Sequence, residues 1–359
     1  MVHNNPLVSI GLPVYNGEKL INRVLDSLLS QTYQNLEIII SDDASTDNTA
    51  QICRDYASKD KRIIFFLNKE NRGSIWNHNR VFELSKGKYF TWVSQDDLRA
   101  PQFISKCIEK LEMKNNAVLC HTYTGGFIDN PENILILITH DTLDGIISPI
   151  ERYITAMKSL PASAIESVFR TDILRHRKKL FEYYISSDIV LTRELTLYGE
   201  FLQVPEMLSL RSARYARPTP KEDYAVLTGG KKMSLIYLPF VVLLYNHVIA
   251  IARSPISFNK KGYLWIKLLI HELKTLFLKI LFRFTWFIFN SHIPKWILNY
   301  TVSAFHNPNI HSKRDFQDLP VQLQPGWLLL NHRNIERSIQ TQNKIIKILE
   351  KKIKNSFLR

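Results

Sequence analysis

The sequence predicts an α/β fold: a mostly parallel sheet flanked by helices, with a basic α-helical C-terminal extension. Short apolar runs alternate with helical spacings through the first 112 residues, as expected for strands buried on both faces and joined by helical crossovers. Two of those runs lead into acidic pairs, Asp42-Asp43 and Asp96-Asp97. Charge marks off the extension. Residues 1–230 carry 27 Lys/Arg against 28 Asp/Glu, whereas residues 231–359 carry 20 against 5.

Leu7 to Val14 (LVSIGLPV) reads as the first strand, closed by the turn residues Tyr15-Asn16-Gly17. A helix follows with Leu20, Val24 and Leu28 on one face. LEIIIS (36–41) is the second strand, after which Ser45 or Thr46 caps a helix carrying Ala50, Cys53 and Ala57 on one face. Ile63 to Leu67 is the third strand, followed by the polar loop NKENRGS and a helix from about Ile75 to Leu84. The fourth lies in KYFTWVSQDDLRAP, with Asp96-Asp97 just past its carboxyl end. Pro101 then suits a helix start, and Phe103, Ile104, Cys107, Ile108 and Leu111 follow at helical spacing. A further strand is expected from Val118 to Phe127, then a loop-rich insertion from Asp129 to Ser148.

Open α/β sheets bind ligands at the carboxyl ends of their strands. Two adjacent carboxylates there repel one another, and a divalent cation relieves the repulsion; hard oxygen donors select Mg²⁺ or Mn²⁺. The competing structural reading makes Asp96 a helix cap and Asp97 a first-turn charge. Neither GxGxxG nor GxxxxGK[ST] is present, so phosphates must be held another way. Cys53, Cys107 and Cys120 lack metal-ligand spacing and are expected to be reduced thiols in a cytosolic protein. The opening MVHNNPLVSI lacks the pattern of a secretory signal.

Four segments, VSIGLPVYNGEKL, SDDASTDNTA, NRGSIWNHNRVFELSKGKYFTWVSQDDLRAP and SSDIVLTRELTLYGEFLQVPE, together resemble the family 2 glycosyltransferases of GT-A (Rossmann-like) fold, over roughly residues 6 to 217. The resemblance implies inverting transfer of a sugar from a nucleotide-diphosphate donor, usually with Mg²⁺ or Mn²⁺. It puts Pro13, Val14 and Tyr15 around the nucleotide, Asp42 on the base with Asp43 beside it, and Arg72 near the nucleotide. Asp96 matches the second acid of the family's DxD motif and, with Asp97, is the expected metal site. Asp188 matches the catalytic base, with Glu194 and Glu166 as fallback candidates. One departure stands out: Ser94 occupies the position of the first DxD acid. Glu166 and Arg170 are candidates for the acceptor pocket, and Arg211, Arg214 and Arg217 face phosphates or water. His121 and His140 are read as structural or surface histidines.

The organisation expected is a catalytic domain over 1–220, a basic amphipathic helical region over 221–310 that associates with membrane or packs, and a tail over 311–359. Lys221 to Lys232 reads as a linker. Leu235 to Ile251 is short for a membrane-spanning helix and suits a buried or in-plane one. From Lys267 to Phe289, Leu269, Leu273, Leu276, Ile280, Phe284 and Phe287 share one side, with Lys267, His271 and Lys274 opposite and Lys279 and Arg283 flanking, a pattern of membrane-surface helices. Ile335 to Ile353 carries a short heptad seam that would make a homodimer contact.

The expected partners are a nucleotide-sugar donor, a glycan or lipid-linked acceptor and a membrane surface met through 231–300, with no nucleic acid. The expected location is cytoplasmic, peripheral at the inner face of the membrane. Two other readings stand beside this one: a nucleotidyltransferase using the same acidic site, and a binding protein that has lost catalysis through Ser94.

Overall fold

The computed structural model describes residues 5–127, 134–138, 143–160, 164–184, 186–212, 225–230 and 239–289; of 134–138, 239–240 and 278–289 only the backbone is described. Its nine-stranded sheet runs β3 (Ile63–Leu67), β2 (Leu36–Asp42), β1 (Val8–Val14), β4 (Tyr89–Trp92), β8 (Val168–Arg170), β6 (Ala117–Phe127), β9 (Glu200–Ser212), β5 (Leu98–Arg99), with β7 (Ile134–Ile138) added on β6. β3, β2, β1 and β4 are parallel. β8 runs against both β4 and β6, and β9 is parallel to β6, so the main strands share one direction across the sheet.

Burial explains the apolar runs. Every residue of β1, β2 and β4 is buried, because helices cover both faces. One core layer joins Val24, Leu25 and Leu28 of α1 (Ile21–Leu29) and Cys53 of α2 (Thr49–Lys59) to Phe103, Cys107 and Leu111 of α4 (Phe103–Met113). The other layer holds Val81 and Phe82 of α3 (Ser74–Glu83), Phe90, Trp92, Phe169 and Leu191. Trp92 packs edge-on against Phe90, Phe169 and Phe181.

Three local expectations change. α2 starts at Thr49, past Ser45 and Thr46, with no side-chain cap bond; Asp47 instead accepts from the Thr49 amide and hydroxyl. The stretch expected as an insertion contains β7, paired antiparallel with Thr124–Phe127 of β6. Within the expected linker, residues 225–230 pack on the loop before α3. Gly73 (φ +91°) and Gly229 (φ +65°) lie so close that a β-carbon on Gly73 would sit 2.4 Å from the Gly229 nitrogen. Two missing side chains permit that backbone contact.

The basic extension begins as part of the fold. α5 (Pro149–Lys158) and α7 (Ser187–Leu195), the latter after the short α6 (Thr171–Arg175), receive α8 (Pro239–Arg253) and α9 (Phe258–Phe289), and Tyr153, Met157, Leu197, Ile251, Leu264 and Leu268 form a shared cluster. Buried Glu194 of α7 accepts two bonds of 2.5 Å from Arg253 of α8. Arg193 donates to His247 at 3.1 Å and lies 3.8 Å from Glu272. Burial, with Arg193 and His271 nearby, drives the His247 pKa well down, so the neutral ring can accept that bond.

α9 is therefore apolar on two sides. Leu264 and Leu268 face the domain, whereas Ile266, Leu269, Ile270, Leu273 and Phe277 are exposed, with Lys260, Lys267 and Lys274 along one flank. Among the described residues no helix is long and apolar enough to cross a membrane. The side chains of Ile280, Phe284 and Phe287 and the seam at 335–353 lie outside the described residues.

Candidate active site

The parallel strands bring their carboxyl ends to one edge, and the acidic pairs stand there. Val14 pairs with Asp42 in register, and the Asp43 amide donates to the Val14 carbonyl at 2.9 Å. Pro13 and Val14 are buried within β1, whereas Tyr15 emerges 41% exposed. Asp42 is fully buried: its Oδ1 accepts from the Ser45 amide at 2.8 Å, and its Oδ2 has no hydrogen-bond partner. Burial raises its pKa, partly offset by Ser45. A buried acceptor left open in this way suits an N–H donor arriving with a ligand.

Asp43 holds the neighbouring loop. Its carboxylate accepts from the Arg72 amide at 3.0 Å, the Gly73 amide at 2.8 Å and Asn68 Nδ2 at 3.3 Å. Burial again raises the pKa, and these donors oppose it. The Arg72 guanidinium meanwhile stacks on Trp76, 4.3 Å from the ring centroid. Asp43 thus fixes the backbone from which Arg72 projects.

The turn after β4 is clasped to the turn after β1. The Tyr15 amide donates to Gln95 Oε1 at 2.7 Å, and Gln95 Nε2 donates to the Tyr15 carbonyl at 3.0 Å. Asp96 is half-buried beside it, and Asp97 lies below at 1% exposure. Asp97 Oδ1 accepts from the Ser212 amide at 2.8 Å, while its buried Oδ2 has no hydrogen-bond partner. Under the turn, Arg99 donates to Glu166 at 2.9 Å, and Ser94 Oγ donates to the other Glu166 oxygen at 3.3 Å.

Charge in this pocket is unevenly shared. Burial, followed by the charge of Glu166, pushes the Asp97 pKa well above the usual carboxylate range. Burial alone would raise Glu166 as well, but Arg99 and then Arg211 outweigh it and bring Glu166 below its ordinary value. Pairing of β5 with β9 delivers Arg211, one residue beyond Leu210, the partner of Leu98. Arg211 is held firmly protonated by Glu166, Asp97, Asp96 and Asp188.

Asp188 completes the group. It is the second residue of α7, following Ser186 in the left-handed conformation, and is not the helix cap. Burial raises its pKa, against the pull of the Ile189 amide, Arg211 and His78. His78 of α3 is bonded through Nδ1 to the Ser74 carbonyl at 2.7 Å and packs edge-on against Phe181. Its own pKa is lowered by burial, only partly offset by the Ser74 carbonyl, Glu166 and Asp188.

Several expected residues are spoken for elsewhere. Glu194 is neutralised by Arg253 and lies 3.5 Å from Arg177, so it is no fallback base. Arg170 donates to the carbonyls of Ala117 and Leu111 and to the Tyr89 hydroxyl, tying β8 to its neighbours instead of lining an acceptor pocket. His121 is buried in β6. His140, Arg214 and Arg217 lie outside the described residues. Gln95, Arg99 and His78 escaped sequence reading: each sits in an unremarkable polar position, and only Gln95, inside the acidic motif, carried a local signal.

Among the described residues no group of three or more His, Cys, Asp or Glu forms a metal cage. The oxygen set nonetheless fits a hard cation that arrives with a diphosphate, since Mg²⁺ sites commonly combine one or two carboxylates with substrate phosphates. The partly buried Asp96 carboxylate, with the Asp97 carboxyl buried beneath it against Glu166, supplies that set.

Residues 9–176 match the model for glycosyl transferase family 2. An uncharacterized glycosyltransferase of Haemophilus influenzae is 36% identical over 136 residues, which are 38% of this chain and 54% of the relative. A second from that organism is 30% identical over 212 residues, covering 58% and 65%. Glycosyltransferase GlyG of Streptococcus pneumoniae is 32% identical over 117 residues, covering 33% and 39%. The chain thus spans about half the length of the first of these relatives. Among solved structures, S. aureus TarS 1-349 in complex with UDP-GlcNAc superposes with a TM-score of 0.56 at 16% identity, covering 75% of this chain and 72% of that one. That likeness is one of fold. The family match therefore holds for residues 9–176, and the architecture shared with the solved structures is that of the GT-A fold.

Proposed function

We propose that this chain is an inverting, metal-assisted glycosyltransferase that moves a sugar from a nucleotide-diphosphate donor to a hydroxyl of a growing polysaccharide or lipid-linked glycan. The observation that carries the reading is the acidic cluster at the carboxyl edge of the sheet, where Asp97, bonded to the Ser212 amide, lies beside Asp96 and over Glu166, itself held by Ser94 and Arg99. Open, buried Asp42 suits a base N–H, and Arg72 with Tyr15 flanks the same edge.

In this reading Asp188 accepts the proton of the acceptor hydroxyl. The oxygen then forms a bond to the anomeric carbon as the bond from that carbon to the diphosphate oxygen breaks, its electron pair leaving with the diphosphate. A single displacement inverts the configuration. Arg211 offsets charge on the departing diphosphate. Asp96 and Asp97 would hold Mg²⁺ or Mn²⁺, which supplies further neutralisation of the leaving group when bound.

The exposed apolar side of α9 with its lysine flank supports an association with anionic membrane, where a lipid-linked acceptor would lie. Calorimetry with UDP, GDP, dTDP and CDP, with and without Mn²⁺, tests the donor site. Selective, Mn²⁺-dependent binding that Asp96→Ala abolishes is expected; no binding of any of the four with Mn²⁺ present would overturn the reading.

A further inference from the structure

We infer that Glu166 supplies, through the Ser94 hydroxyl, the negative charge that the first position of the acidic motif lacks in this chain, making Glu166 a positioning residue for donor and cation. This rests on the donor-site reading above. The Ser94 hydroxyl has one hydrogen and two lone pairs. With the hydrogen given to Glu166 Oε1 at 3.3 Å, the lone pairs are left to accept from a ribose hydroxyl or to meet a cation. A carboxylate behind the hydroxyl strengthens it as an acceptor. Ser94 and Glu166 together then do what an aspartate at position 94 would do alone.

The surroundings hold Glu166 in that task. Its second oxygen is fixed by Arg99 at 2.9 Å, with side chains 1% and 6% exposed, so the carboxylate cannot swing away into solvent. Glu166 sits on the 3₁₀ turn Ala164–Glu166, 72 residues from Ser94 in sequence, and enters the site from beneath β4. The contact also means that an acid at 94 would face Glu166 directly. An aspartate at 94 would set two carboxylates against each other in a buried pocket that already contains Asp97. Serine at 94 and glutamate at 166 are thus two halves of one arrangement.

The test is a charge exchange on the full-length chain. Mn²⁺ binding is followed by the electron paramagnetic resonance signal of free Mn²⁺, with and without whichever of UDP, GDP, dTDP and CDP the wild-type chain binds. Glu166→Gln should weaken Mn²⁺ affinity by about tenfold, the lower end for groups acting behind a ligand, whereas Ser94→Asp, whose added carboxylate the cation itself neutralises, should not weaken it. In the Ser94→Asp background the further change Glu166→Gln should cost less than about threefold, a coupling that independent sites would not show. Wild-type affinity in E166Q alone, or the same tenfold loss when E166Q is added to S94D, would overturn the inference. Thermal melting checks the fold. Should E166Q melt early, Ser94→Ala, which leaves the Arg99–Glu166 pair in place, must show the same loss, and unchanged affinity there would also overturn it. Asp96→Ala separates the two readings: if it binds Mn²⁺ like wild type, the donor site itself is wrong, whereas loss in D96A with none in E166Q refutes only the role of Glu166.

Discussion

Gln95 and Tyr15 join two turns that lie 80 residues apart, by one hydrogen bond in each direction between a side-chain amide and a backbone. Gly17 leaves room for the clasp, since a β-carbon there would sit 2.9 Å from Gln95 Oε1. One partner turn ends β1, which borders Asp42; the other carries Asp96. On the proposed donor-site reading, the clasp therefore sets the distance between the base end and the phosphate end of the cleft.

Gln95→Ala removes both bonds without touching a charge. A net loss of about 1 kcal/mol per bond predicts nucleoside diphosphate binding weaker by roughly 10- to 30-fold, with the same stoichiometry. Calorimetry on the variant checks this, and unchanged affinity would mean that the turns are held apart by other contacts.

Asp188→Asn should lower kcat by about 10²- to 10⁴-fold while leaving nucleoside diphosphate affinity near wild type. As the proposed base, Asp188 acts in its charged form and burial raises its pKa, so the wild-type rate should fall, as pH drops, at values above the ordinary 3.8. That acid limb should vanish in the variant. Stability runs the other way. A carboxyl with a raised folded-state pKa costs stability once pH climbs past its unfolded value, so D188N should melt at or above wild type near neutral pH, with the gap closing toward about pH 3. Melting curves and a pH–rate profile check the two halves independently.

The sequence was readable where chemistry is local. Continuous apolar runs marked β1, β2 and β4 because burial on both faces demands them, and Asp42 and Asp96 stood out as candidates because they follow those runs directly. What could not be read is pairing across distance. Nothing near Glu166 announces Arg99, 67 residues away, and Arg211 is brought to the acids by β9, whose place is set by pairing with both β5 and β6. α9 shows the same limit: its periodicity revealed the helix, but two apolar sides share it, and packing on α5 and α8 decides which faces inward.

The exposed side of α9 should bind anionic vesicles. Sedimentation with vesicles of phosphatidylglycerol and phosphatidylcholine should bring the wild-type chain down, and Ile270→Glu with Leu273→Glu should leave it in the supernatant. Raised salt should weaken binding, since Lys260, Lys267 and Lys274 meet the surface charge within a Debye length. Both residues are about half exposed (57% and 50%), so the double variant should melt close to wild type. Equal sedimentation of variant and wild type would remove this surface from consideration.

Arg253 and Glu194 make the last prediction, because their pairing decides whether α8 is an appendage or part of the catalytic domain. Glu194 is 1% exposed and belongs to the same helix as Asp188, its second residue. Arg253→Met leaves that carboxylate buried with only the longer contact to Arg177, which should cost about 3 kcal/mol, the lower end for breaking a buried pair. Arg253→Met with Glu194→Gln removes the stranded charge and should recover most of the loss. Urea unfolding of the two variants measures the difference. A truncation ending at residue 230 should fare worse than either, because it also strips Ile251, Leu264 and Leu268 from Tyr153, Met157 and Leu197. If that truncation instead folds with wild-type stability, α8 and α9 contribute nothing to the domain, and the position of Asp188 does not depend on them.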